Sequence, residues 1–83
     1  MAYKIPKKYE KKSGKYINDT MEYVIPENEV ESSLKYKCKY YKIDYNKNKK
    51  QIWELLDQKV KDTGEPITDI DVKGVCKFIA END

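Results

Sequence analysis

The chain has 83 residues, a formal net charge of +2, two cysteines and no histidine, which makes one domain with a small core, burying only ~60 to 65% of the surface its unfolded form exposes. Without histidine the commonest general base is missing, and Cys38 and Cys76, far apart and in no CxxC pair, have nothing to complete a zinc site. No apolar run is long enough for a membrane span or a signal-peptide core, so the chain reads as cytoplasmic, with no membrane partner and with reduced thiols.

The small net charge hides alternating blocks: +5 over residues 1–15, −5 over 16–34, +6 over 35–50 and −4 over 51–83. Blocks of this kind either satisfy one another within a fold or offer patches of opposite sign to a partner. Every basic residue is lysine. In this the composition resembles that of proteins from AT-rich genomes, low-GC bacteria and their viruses among them. It also removes the planar guanidinium fork, leaving the positive charge on mobile point charges. Eight tyrosines must supply much of the packing, and so thin a core suits a domain that gains stability from a partner, a metal, disulfides or self-association.

Residues 1–15, which interleave Tyr3 and Tyr9 with six lysines, read as a basic N-terminal arm, in the plainest case a flexible, soluble tail. Residues 16–83 read as a single small α+β domain. Met21 to Ile25 is a short strand, with a turn at Asn18-Asp19 pairing it to a strand near Tyr16. The Asn18-Asp19-Thr20 triplet is a glycosylation acceptor only on the secretory route, which this chain is not expected to follow. Pro26 ends the strand, and Glu27, Glu29 and Glu31 form an acidic connection with room for one helical turn.

The stretch LKYKCKYYKIDY, Leu34 to Tyr45, alternates lysines with rings and aliphatics. Leu34, Tyr36, Cys38 and Tyr40 share one parity and Tyr41, Ile43 and Tyr45 the other. This predicts a half-buried strand with a lysine outer face and a bulge at the slip. The expected N-terminal half is thus a short antiparallel sheet.

The remainder predicts a helical hairpin. Ile52, Leu55, Leu56 and Val60, with Trp53 beside them, have the spacing of one helix face; Asn48 caps it with Gln51 three residues on, and Gly64 and Pro66 stop it. Thr68 and Asp71 form a capping box for a second helix, with Ile67 and Val72 as its hydrophobic staple. Its buried stripe is Val72, Val75, Cys76, Ile79 and Ala80, and Gly74 implies a close backbone approach. Two other readings of this region fail. A DNA-reading helix would begin with Asp69, Ile70 and Asp71, whose charge repels phosphate. A calcium loop opening at Asp69 would need a ligand where Lys73 stands and a bidentate glutamate where Ala80 stands.

No phosphate-binding loop, dinucleotide fingerprint or nucleophile elbow is present, so catalysis and cofactors are not expected. The chain reads as a small non-enzymatic protein-binding module, an inhibitor of a larger host protein or nucleoprotein encoded by a virus or mobile element, with a homodimer also open to it. The alternative is a sequence-tolerant nucleic-acid binder using the lysine and tyrosine strand with the basic arm, since lysines that track phosphates beside stacking rings serve single-strand binding. Either partner would meet Lys35, Lys37, Lys39, Tyr41, Lys42, Lys47, Lys49 and Lys50.

Overall fold

The computed structural model describes residues 3–16 and 22–82. Three α-helices build it: α1 (Val30–Tyr40), α2 (Tyr45–Thr63) and α3 (Asp69–Asn82), with 3₁₀ turns over Lys7–Lys12 and Glu27–Glu29 ahead of them. The expected antiparallel sheet is not there. Among the described residues, strand pairing is limited to two isolated antiparallel bridges, Tyr16 with Tyr23 and Val24 with Thr68. The α+β expectation is corrected to a mostly helical fold. Met21 and the proposed Asn18-Asp19 turn lie outside the described residues.

The lysine strand is instead helix α1, and the reason lies in its apolar positions. Leu34 and Cys38 share a parity, but they are also four residues apart, and Val30 extends the series backwards. These three are buried, whereas Tyr36 and Tyr40 are 71% and 69% exposed. A strand would bury all four residues of one parity; a helix buries every fourth. Between Leu34 and Tyr40 there is no β-branched residue to favour extended backbone, while leucine and lysine are good helix formers. The acidic connection becomes the helix start: Glu27–Glu29 forms a 3₁₀ turn that runs into α1, and Glu31 lies in the first turn with Lys37 and Lys39 in the last, as the helix dipole favours.

Helix α2 begins four residues earlier than the Asn48 cap implied. Asp44 caps it, accepting from the Lys47 N–H at 3.2 Å, while the Asn48 side chain donates to the Asp44 carbonyl. Tyr45, assigned to the strand, opens α2 as a buried residue; its hydroxyl accepts from Trp53 Nε1 at 3.0 Å and donates to Glu31 at 3.2 Å, tying α2 to α1. Ile52, Trp53 and Leu56 are buried, and Leu55 is left at the surface. Gly64 ends the helix at φ +68°, its N–H bonded to the Val60 carbonyl, a left-handed closure that glycine takes without strain.

At α3 the Thr68 N–H donates to Asp71 Oδ2 at 2.9 Å and the Asp71 N–H returns to Thr68 Oγ1 at 3.4 Å, the reciprocal capping read from the sequence. Lys59 of α2 reaches the same carboxylate at 2.7 Å. Val72, Cys76 and Ile79 face the core. Gly74 does not meet a neighbouring backbone: it is exposed, and a Cβ there would find nothing within 4 Å.

Residues 3–16 lie on the helices. Tyr3 and Ile5 are buried; the Tyr3 hydroxyl accepts from the Ile67 N–H at 2.9 Å, and the Ile5 N–H donates to Glu27 at 2.7 Å. Residues 23–25 are held on both sides. Val24 exchanges backbone hydrogen bonds with Gly14 and Lys15, while Ile25 donates to Ile67 and Tyr23 accepts from Asp69.

Two outcomes follow for stability. Leu34→Ala should cost ~2 to 5 kcal/mol, while Tyr36→Ala should stay within ~0.5 kcal/mol; equal losses in urea midpoint would return α1 to a strand. Burial pushes up the Tyr3, Tyr45 and Cys38 protons from their ordinary values and raises Cys76 to about 12. These groups are neutral in the folded chain and ionise more readily when it unfolds, so their contribution is whole below the unfolded thiol value of 9.0. It is lost as pH climbs through that value, then the phenol value of 10.0 and on towards the raised folded ones. The thermal midpoint should therefore fall above pH ~9, and a fall that is complete below pH ~8 would contradict this assignment.

Candidate interaction face on α1 and the α1–α2 corner

Successive residues on α1 turn by about 100°, so the lysines expected in a row along one strand face are dispersed. Lys35 and Lys39, four apart, share the side nearer α2. Lys35 lies 3.8 Å from Glu31 and 5.9 Å from the Tyr45 ring centre, and Lys49 of α2 approaches Glu31 from the other side, also at 3.8 Å. Lys37 points the other way, half-buried, with its ammonium 5.3 Å from the Tyr40 ring centre. Tyr41 is half-buried, packed edge-on against Tyr40 with ring centres 5.1 Å apart.

The exposed rings of α1 are Tyr36 and Tyr40, which the parity pattern had turned inward. The signal that finds them is the helical one: with Val30, Leu34 and Cys38 buried at intervals of four, Tyr36 and Tyr40 must fall on the opposite face. Beside them a groove of about 280 Å³ runs between α1 and the start of α3, lined by Ile25, Ser33, Tyr36, Lys37, Asp69 and Val72. Asp69 is engaged there, accepting from the Tyr23 and Ile70 N–H groups.

Lys39 in the last turn of α1, Lys42 in the connection, and Lys47 and Lys50 in the first turns of α2 are all exposed. Helix α1 closes with two hydrogen bonds, Ile43 N–H to the Cys38 carbonyl at 2.8 Å and Lys42 N–H to the Lys39 carbonyl at 3.2 Å. This closure requires a left-handed residue between the helix and the exit, and that residue is Lys42 at φ +60°. Glycine adopts this backbone freely, whereas a side chain there costs ~1 to 2 kcal/mol. Lys47 is equally ill-suited to its place. It is the third residue of α2 after the Asp44 cap, where a glutamate would reach back to the cap N–H and suit the dipole, and the first turn of α2 holds no acid. Among the described residues, Lys35 and Lys49 are the members of this block within 4 Å of a carboxylate; Asp44 is occupied as the cap.

The end of α1, its connection and the start of α2 thus carry exposed lysines, and α1 also carries two exposed rings. Among the described residues no three His, Cys, Asp or Glu side chains gather as a metal site, and no helix is long and apolar enough to cross a membrane. The chain matches no protein-family model, and neither the curated proteins nor the solved structures contain a match to it.

Lys47→Glu should raise stability by ~0.3 to 1 kcal/mol through the dipole and the completed capping pair, and Lys42→Gly should raise it by up to ~1 kcal/mol through relief of the left-handed strain. Urea midpoints measure both. Losses from either change would mean that the corner is built for stability.

Proposed function

We propose that the protein is a non-catalytic binding module that seats an acidic surface of a larger protein or nucleoprotein on Tyr36, Tyr40 and the lysines of the α1–α2 corner, acting as an inhibitor by occupying that surface. One observation carries this reading. Lys42 and Lys47 stand where glycine and glutamate would hold the chain more firmly, and stability forgone at exposed positions is the mark of residues kept for another purpose. The two exposed tyrosines add rigid amphipathic contact area of the kind interfaces favour, and the neighbouring groove offers room for a partner side chain. The cytoplasm is the setting that accords with two buried free thiols.

A second reading, direct binding of single-stranded nucleic acid, is favoured by the same pair of exposed rings beside lysines, since bases stack on tyrosine whatever their sequence. The partner's class then decides.

The test compares the wild-type chain with one carrying Lys39→Glu, Lys42→Gly, Lys47→Glu and Lys50→Glu. Two of these changes are expected to stabilise the fold, and the urea midpoint of the variant separates lost binding from unfolding. Affinity capture from the source cell should retain a protein on the wild type that the variant loses, with the difference shrinking as salt rises. Fluorescence anisotropy with a single-stranded oligonucleotide should show little binding. Tight oligonucleotide binding with a steep salt dependence selects the second reading, and equal capture by both chains would remove the corner from the function.

A further inference from the structure

Neither the binding face nor any cap uses the two thiols, yet the fold brings them together. Cys38 on α1 and Cys76 on α3 are 1% and 0% exposed, and their sulfurs are 3.9 Å apart with both thiols free. That separation is van der Waals contact, with no side chain between. Forming an S–S bond of ~2.05 Å requires the sulfurs to close by ~1.9 Å, a movement that small side-chain rotations on two packed helices can share.

We propose that Cys38 and Cys76 are a redox modification site: a hydroperoxide oxidises the pair to an intramolecular disulfide that locks α1 to α3. The balance is simple. One thiol, as its thiolate, attacks the peroxide oxygen, breaking the O–O bond and leaving a sulfenic acid and, after protonation, one molecule of water (for hydrogen peroxide). The second sulfur then attacks the sulfenic sulfur, forming the S–S bond and releasing the hydroxyl as a second water. Two thiol protons and two electrons pass from the cysteines to the peroxide, and a dithiol reductant reverses the change by exchange.

Two features shape how the site behaves. Burial raises both thiols, Cys76 to about 12, so neither supplies much thiolate in the closed fold and reaction waits on opening of the α1–α3 contact. The site thus responds to sustained oxidant and not to a brief pulse. The crosslink closes a loop between residues 38 and 76, which constrains the unfolded chain strongly. Since α1 also bears Tyr36 and Tyr40, the lock fixes the helix that carries the exposed rings.

The reduced, full chain is treated with hydrogen peroxide, quenched, and examined by intact mass, peptide mapping and thiol titration after denaturation. The expected product is a monomer lighter by two hydrogens, with Cys38 and Cys76 in one linked peptide, no titratable thiol and full recovery on reduction. Its thermal midpoint should rise by on the order of ten degrees, and a Cys38→Ser chain given the same treatment should show no rise. Two surviving thiols, oxygen adducts in place of the crosslink, a covalent dimer, or a crosslinked chain with a lowered midpoint would each overturn the proposal.

Discussion

Ile67 sits in the short connection between α2 and α3 with both its backbone groups engaged and its side chain fully buried. Its N–H is held by the Tyr3 hydroxyl and its carbonyl by the Ile25 N–H. On one side Lys59 grips the Pro66 carbonyl; on the other Thr68 caps α3. Three helix stripes in so short a chain do not enclose a core by themselves, and this connection recruits the segments around Tyr3 and Ile25 to complete it. Buried backbone groups demand partners, so the hydrogen bonds that satisfy Ile67 also decide where the segments around Tyr3 and Ile25 must lie.

Against that constrained end of the molecule, the α1–α2 corner is loosely specified. Its charges are not consumed by the fold: Glu31 of α1 meets Lys35 and Lys49, Lys37 is half-buried beside the Tyr40 ring, and Lys39, Lys42, Lys47 and Lys50 are exposed. The contrast with Lys59 is instructive. That lysine is half-buried, bonded to Asp71 and to a carbonyl, and serves the hairpin. Two populations of lysine therefore coexist, one structural and one available, and the distinction rests on local geometry that net charge does not reveal.

How much of this was legible in the sequence depended on whether the deciding contact was local. The stop at Gly64, the Thr68 and Asp71 caps and the α3 stripe all rest on residues within a few positions of one another, and they could be read directly. Helix α1 could not, because period two and period four share Leu34 and Cys38, and the tie was broken by Val30, which had been assigned to the acidic connection. Tyr3 and Ile5 were beyond reach for a different reason: their partners are 64 and 22 residues away, and no spacing rule reports such a meeting. The candidate site was legible in part. Its lysines were visible as a block, but Tyr36 and Tyr40 emerge only once α1 is a helix, since their exposure is a property of the turn angle.

The bond between Tyr3 and Ile67 also sets an order of events during synthesis. The segment around Tyr3 leaves the ribosome before the helices it covers, yet the backbone group that anchors it is made 64 residues later. At ~5 to 20 residues per second, Tyr3 and Ile5 wait for seconds with their apolar surface uncovered while α1 and α2 form from contacts close in sequence. Residues translated ahead of their partners are thus among the last to find their places, and the growing chain passes through a stage in which its helices exist but their lid does not.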